Sequence, residues 1–193
     1  LMVGLQAYFM FRKTADRVTS AATDNSALYA YRQVKPIDTL IARSFLEAAM
    51  NLLATTVLAA LLLLMGHVFY PEFPLGLMQA LFGMWMLGLG LGMTISAVAA
   101  LVREIKLLLN VVMRPLYLLS GVMFPISSLS KPWREVLMLN PAAHGVEMAR
   151  MALSRGYHGV PETDPAYLFT VAGVLLFAGL VLQLRFAMKI TEQ

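Results

Sequence analysis

Of 193 residues, 59% are hydrophobic and only 13% are charged, against about 25% charged in a soluble domain. With a mean hydropathy of +0.71, that excludes an ordinary soluble domain and indicates an integral membrane protein. The formal net charge of +4 reflects the Lys/Arg excess of cytoplasmic membrane loops rather than a nucleic-acid footprint, and the absence of cysteine excludes disulfides and thiolate metal sites.

The sequence starts inside an apolar run, Leu1 to Phe11, with no charged leader and no small-residue cleavage site. It therefore reads as the end of a spanning helix whose start is missing, not as a signal peptide. Arg12, Lys13 and Arg17 mark an exit from the bilayer, and residues 12–39 form a polar loop. Within it, Thr23-Asp24-Asn25-Ser26 offers an N-cap for a short helix from Ala27 to Gln33, which Pro36 stops. Asp38 or Thr39 can cap the next helix, Leu40 to Gly66. Its first half places Arg43, Glu47 and Asn51 on one face, and its second half, from Leu52, is almost wholly apolar. After a proline-bearing turn, His67 to Pro74, a helix runs from Leu75 to Leu101. Gly88, Gly92, Ser96 and Ala100 recur along it at four-residue spacing, a small-residue stripe that lets another helix approach closely in lipid. A charged turn, Val102 to Lys106, leads to a helix over Leu107 to Met123.

Ser120 to Arg155 is the unusual stretch: SGVMFPISSLSKPWREVLMLNPAAHGVEMARMALSR. The run from Arg134 to Leu139 is too short to span, since crossing takes about 20 apolar residues, yet it is too apolar for a free loop. Two short helices broken at Asn140-Pro141 and dipping into the membrane fit it best. Such backbone is tolerated at depth only where protein covers it or it lines a wet cavity. A polar loop, Gly156 to Pro165, and a final helix, Ala166 to Met188, complete the chain.

Arg12, Lys13, Arg17, Arg32, Lys35, Arg43, Arg103, Lys106, Arg185 and Lys189 fall on one side, and Lys131, Arg134, Arg150 and Arg155 on the other. The positive-inside rule puts the 12–39 loop and the C-terminus in the cytoplasm and the broken stretch outside. The expected fold is an all-α integral membrane bundle with five visible spans, six in an intact chain, plus an outer re-entrant helix pair over 124–165.

No phosphate loop, HExxH or GxSxG is present. His67, His144 and His158 show no ligand-like spacing, so no metal site is expected. The costliest polar residue is Arg114, about 10 Å into its helix. It pairs with Glu47 at similar depth, faces an anionic substrate group, or snorkels to the interface. In the outer stretch, Glu147 and Arg150 are spaced for an ion pair or contact a departing polar substrate, with Arg134 and Glu135 beside them. Tyr117, Phe124, Trp133 and Tyr157 are belt aromatics or sugar-stacking residues. The short cytoplasmic helix either lies on lipid head groups or docks into a partner.

YRQVKPIDTLIARSFLEA (Tyr31 to Ala48) and the SGVMFPISSL and NPAAHGVEMAR segments together resemble ABC-2 type permeases, in particular the capsular-polysaccharide branch. The resemblance covers essentially the whole chain and implies a six-span permease that pairs as a homodimer in the bacterial inner membrane. It also implies a separate cytoplasmic ATPase that carries the ATP and Mg, none being expected on this chain. A coupling helix maps to about Thr23 to Gln33, with Asn25, Leu28, Tyr29 and Arg32 as contact residues. The re-entrant signature maps to Pro125, Asn140, Pro141, His144, Glu147 and Arg150. The cargo implied is a lipid-linked polysaccharide, with O-antigen, teichoic acid or a small drug as alternatives; an embedded enzyme or a pure scaffold are the other classes. This chain departs from the family in lacking its N-terminal amphipathic helix, first span and most of the second.

Overall fold

Apolar residues at three- and four-residue intervals build seven α-helices among the described residues: α1 (Met2–Asp24), α2 (Pro36–Leu64), α3 (Pro74–Ala99), α4 (Ile105–Leu119), α5 (Lys131–Leu137), α6 (Pro141–Leu153) and α7 (Pro165–Arg185). Two short 3-10 turns, Ser26–Ala30 and Ile126–Ser128, join them. The computed structural model describes residues 2–30, 33–66, 72–102, 105–153, 157 and 159–186.

α3 is the post of the bundle, with α1, α6 and α7 packed around it. Its small residues make this possible. A methyl on Gly88 would stand 2.5 Å from the Phe11 carbonyl oxygen, and one on Gly92 would stand 2.7 Å from Val18 Cβ. The small-residue stripe is thus a helix contact, matching Phe11–Thr14 to Gly88 and Ala15–Val18 to Gly92, so α1 runs parallel to α3. On its other side Gly90 meets Leu175 and Leu176, and Gly179 of α7 meets Met93, so α7 is parallel as well. Tyr8, Met84, Leu87, Met113, Val146 and Leu168 are fully or almost fully buried in the resulting core.

Several sequence expectations shift. The first helix does not end at Phe11 but continues to Asp24. Thr14, Ala15, Val18, Ala21 and Ala22 extend its buried face, while the charges stand on the opposite side, a pattern that the charge run conceals when read linearly. The loop is correspondingly short, and of the helix expected over 27–33 the described part is a 3-10 turn, Ser26–Ala30, residues 31 and 32 lying outside the described residues. Pro36 opens α2 instead of stopping its predecessor, as suits a residue with no N–H to offer, and Asp38 accepts the Lys35 backbone N–H at 3.0 Å. α4 ends at Leu119 because Gly121 takes a positive φ of 66° that other residues resist. Among the described residues three helices, α2, α3 and α7, are long and apolar enough to cross a membrane. α4 is about 22 Å long, short of a bilayer core near 30 Å, and α1 carries Arg12, Lys13, Asp16 and Arg17 in its middle.

Candidate functional site

The broken stretch forms two helices as expected, but its second helix goes deep into the protein. Ala142 to Arg150 are all buried, against α3, α1 and α7. Small residues at its start allow close approach: a side chain on Gly145 would run into the Met84 sulfur. At its far end the Ala152 carbonyl accepts the Phe73 N–H at 3.0 Å. Thus Gly145, in the second turn of α6, lies beside Met84 of α3, and the far end of α6 meets the end where α3 starts.

Asn140 and Pro141 make the break. The Asn140 carboxamide oxygen accepts the Ala142 N–H at 3.0 Å, an N-cap, and Pro141 occupies the first helical position. The Asn140 amide also donates to Ser120 Oγ at 2.8 Å, tying the break to the end of α4.

From there a polar stripe follows the turn-by-turn spacing of His144, Glu147 and Arg150. His144 Nε2 donates to the Met138 carbonyl at 2.7 Å, and Nδ1 accepts the Asp164 N–H at 2.9 Å; this pair of contacts requires the neutral ring with its proton on Nε2. Both ring nitrogens are therefore occupied by the chain. Glu147 is fully buried. Tyr157 points its hydroxyl between the two Glu147 oxygens, 2.9 and 2.8 Å away. The phenol's pKa is raised, first by burial and then by Glu147, with a Ser127 hydrogen bond opposing.

Arg150 reaches Glu147 only at 3.9 Å. Its closer partners are backbone carbonyls just beyond α4: Gly121 at 2.6 Å, Val122 at 2.9 Å and Phe124 at 3.2 Å. Gly4 of α1 leaves room for the guanidinium, with Arg150 Nε 3.1 Å from where its Cβ would be. The expected Glu147–Arg150 pair is present, but as the weaker part of a buried network.

The stretch is also tied to the start of α7. Arg134 meets Glu162 at 2.9 Å, and the Tyr167 hydroxyl donates to the Leu139 carbonyl at 2.8 Å. Hence α4, the α5–α6 pair and α7 form one hydrogen-bonded assembly. The partners Ser120, Gly121, Glu162 and Asp164 were missed in the sequence. A Ser-Gly helix stop could have announced the first two, whereas nothing local marks Glu162 or Asp164.

The remaining site candidates fall elsewhere. Glu47 is engaged by Arg17 at 3.6 Å and Arg43 at 4.0 Å, so the expected Arg114–Glu47 pair is not formed. Continuing α1 past Arg12 brings Arg17 to Glu47 first. Arg114 is exposed on α4. Tyr117 packs edge-on against Tyr8 at 5.3 Å, Phe124 is half-buried with its carbonyl on Arg150, Pro125 caps the Ile126–Ser128 turn through its extended backbone, and Trp133 is 67% exposed. Asn25 turns back to finish α1, its amide donating to the Ala21 carbonyl at 2.8 Å, and so does not cap the following turn. Leu28 is exposed, Tyr29 shares a hydrogen bond of 2.9 Å with Thr39, and Arg32 lies outside the described residues.

Residues 26–153 match the family model described as ABC-2 type transporter. Among curated proteins, the chain is 34% identical over 184 residues to a polysialic acid transport protein, KpsM, of Escherichia coli, covering 94% of this chain and 70% of that protein. It is 28% identical over 198 residues to the capsule polysaccharide export inner-membrane protein CtrC of Neisseria meningitidis serogroup B, covering 100% and 72%. Against the capsule polysaccharide export inner-membrane protein BexB of Haemophilus influenzae, identity is 29% over 199 residues, with the same coverage.

Proposed function

The chain belongs to the ABC-2 type transporter family, and on that premise we propose that it is the membrane subunit of an ATP-driven exporter of capsular, lipid-linked polysaccharide. The relatives named above are a polysialic acid transport protein and two capsule polysaccharide export inner-membrane proteins. The observation that carries the reading within this chain is the buried placement of α6, between helices long enough to cross a bilayer. A short buried helix, tied at its start to the ends of α4 and α7 and at its far end to the start of α3, suits a re-entrant roof covered by protein.

In this reading the protein acts as a homodimer in the bacterial inner membrane with its C-terminus cytoplasmic. α1 and α4 join α2, α3 and α7 as five membrane-crossing elements. ATP and Mg are held by a separate cytoplasmic ATPase, which docks at the Ser26–Ala30 turn through Leu28 and Tyr29, with Asn25 and Arg32 at its edges. Arg114, Glu47, Tyr117, Phe124, Trp133 and Tyr157 are the pathway candidates. The strap of Asn140, His144, Glu147 and Arg150 holds the outer roof to the ends of α4 and α7, so that a movement of α4 is transmitted to the exit.

The test is complementation. A capsulated bacterium lacking its own permease should regain surface polysaccharide when given this chain with its neighbouring ATPase subunit, and the two subunits should co-purify. Normal insertion with no restored polysaccharide, or restoration of drug efflux in its place, would overturn the reading.

A further inference from the structure

We propose that His144 is a proton-operated joint: its neutral ring fastens the α5–α6 pair to the start of α7, and taking up a proton releases it. The inference goes beyond the export reading, because it rests on the geometry around one ring and not on the cargo.

Three helices meet on this ring. His144 lies near the start of α6 and is 3% exposed. Its Nε2–H donates to the carbonyl of Met138, the residue that closes α5, at 2.7 Å. Its Nδ1 accepts the N–H of Asp164, the residue that caps α7, at 2.9 Å. The Tyr167 ring of α7 lies 5.0 Å away. One donor nitrogen and one acceptor nitrogen are what the neutral imidazole offers, whereas both nitrogens of the cation donate. Protonation therefore sets Nδ1–H against the Asp164 N–H, donor against donor. That N–H then loses its acceptor inside the protein, where an unmade hydrogen bond is most costly.

The charged neighbours on each packed element decide what the cation does next. On α6, Glu147 takes the Tyr157 hydroxyl on both oxygens and has Arg150 at 3.9 Å. On α5, Arg134 pairs with Glu162 at 2.9 Å and Lys131 with Glu135 at 3.9 Å. α3 carries no charged residue, and Glu72 before it stands by the far end of α6, beside Met151 and Ala152. α1, which meets α6 at Gly4, has no charge before Arg12. Asp164 is left, its Oδ1 accepting the Ala166 N–H at 2.8 Å as the cap of α7. A cationic ring repels the N–H of Asp164 and attracts the carboxylate of the same residue. Turning Asp164 to meet it removes the cap, so one proton loosens both the bond to α6 and the first turn of α7. Val160, four residues earlier and buried with Ile126, Met138 and Ala143, is uncovered by that movement.

The chain has three histidines, His67, His144 and His158, and no cysteine; His67 and His158 lie outside the described residues. His67→Gln with His158→Gln leaves His144 as the sole histidine. Val160→Cys then places one thiol under the joint, at a site 2% exposed, and Glu135→Cys, where the side chain is 58% accessible, is the open reference. The permease with its ATPase subunit, in lipid nanodiscs, is labelled with a charged thiol reagent at about pH 7.5 and about pH 5, the span in which histidine changes charge. Each rate is taken relative to Glu135→Cys at the same pH, which cancels the thiol's own titration. The relative rate at Val160→Cys should rise about threefold or more in acid, as expected when a ring held neutral must charge. The rise should vanish in His144→Gln, whose carboxamide keeps one donor and one acceptor without titrating. It should also vanish in His144→Phe, which offers neither and should label fast at both values. No rise in the sole-histidine protein overturns the joint. So does a rise of equal size in either variant, or slow labelling of His144→Phe throughout. The readout is labelling and not transport, so the joint and the export reading fail separately.

Discussion

Arg150 Nη2 lies 2.6 Å from the Gly121 carbonyl oxygen, so a side chain of α6 holds the backbone that ends α4. The two residues are separated by 29 positions, a 3-10 turn and a helix, and both are buried. α4 touches the rest of the bundle sparingly, chiefly through Met113, Tyr117 and the Tyr8 hydroxyl, which donates to the Met113 carbonyl at 3.0 Å. The guanidinium is thus a main mechanical link between α4 and the interior.

Replacing Arg150 with Met should remove those carbonyl contacts and leave Glu147 buried with one partner fewer. Breaking a buried pair from one side costs about 3–5 kcal/mol. Arg150→Lys should also fail, since a single ammonium lacks the guanidinium fork whose two terminal nitrogens reach the three carbonyls. The double variant Arg150→Met with Glu147→Gln should be less damaged than Arg150→Met alone. Thermal unfolding in detergent, followed by intrinsic fluorescence, measures all three; additive losses would show that Glu147 and Arg150 do not act together.

Tyr157→Phe removes the donor that sits between both Glu147 oxygens, at a cost of about 1–3 kcal/mol for an unsatisfied buried acceptor. The phenol's pKa is raised in the folded protein, mainly by burial. Its stabilising effect is therefore complete below the unfolded value near 10 and is lost as pH rises through the folded value. The stability gap between wild type and Tyr157→Phe should be flat from about pH 6 to 9 and narrow above about pH 10. Unfolding midpoints across that range give the comparison.

Asn140→Ala loses both the α6 cap and the tie to Ser120. A lost cap costs about 0.5–2 kcal/mol, and export should fall further than stability does, because the roof is no longer registered to α4. Surface polysaccharide per permease in the membrane is the measurement. Asn140→Asp should keep the cap and restore part of the stability.

Leu28→Glu should leave insertion and thermal stability unchanged, since the side chain is exposed. Co-purified ATPase and export should drop at least severalfold. Tyr29→Phe should cost about 1 kcal/mol through its bond to Thr39 while keeping the ATPase bound. Retention of full export by Leu28→Glu would remove the Ser26–Ala30 turn as the docking point.

Arg114→Gln should have little effect on stability, within about 0.5 kcal/mol as for exposed positions in general, because no described residue pairs with it. A loss of export at unchanged abundance would place Arg114 on the pathway. Unchanged export would leave it as a snorkelling side chain.

The sequence by itself determined the membrane class, the helical content, the Asn-Pro break, the small-residue stripe and the family, because each is a local pattern: composition, period or motif. It also placed His144, Glu147 and Arg150 on one helix face, which spacing alone dictates. Only the tertiary structure decided what those residues hold. Arg150 answers to carbonyls of Gly121, Val122 and Phe124, His144 to Met138 and Asp164, and Arg134 to Glu162, partners brought within reach by how α3 packs its neighbours. The same cause explains the helix end misplaced at Phe11 and the wrong partner for Glu47. A charge run read in one dimension looks like the end of a membrane helix. On a helix whose other face is Ala15, Val18 and Ala22 against Gly92 and its neighbours, it becomes one open side of a buried rod, and depth depends on that contact rather than on the charges.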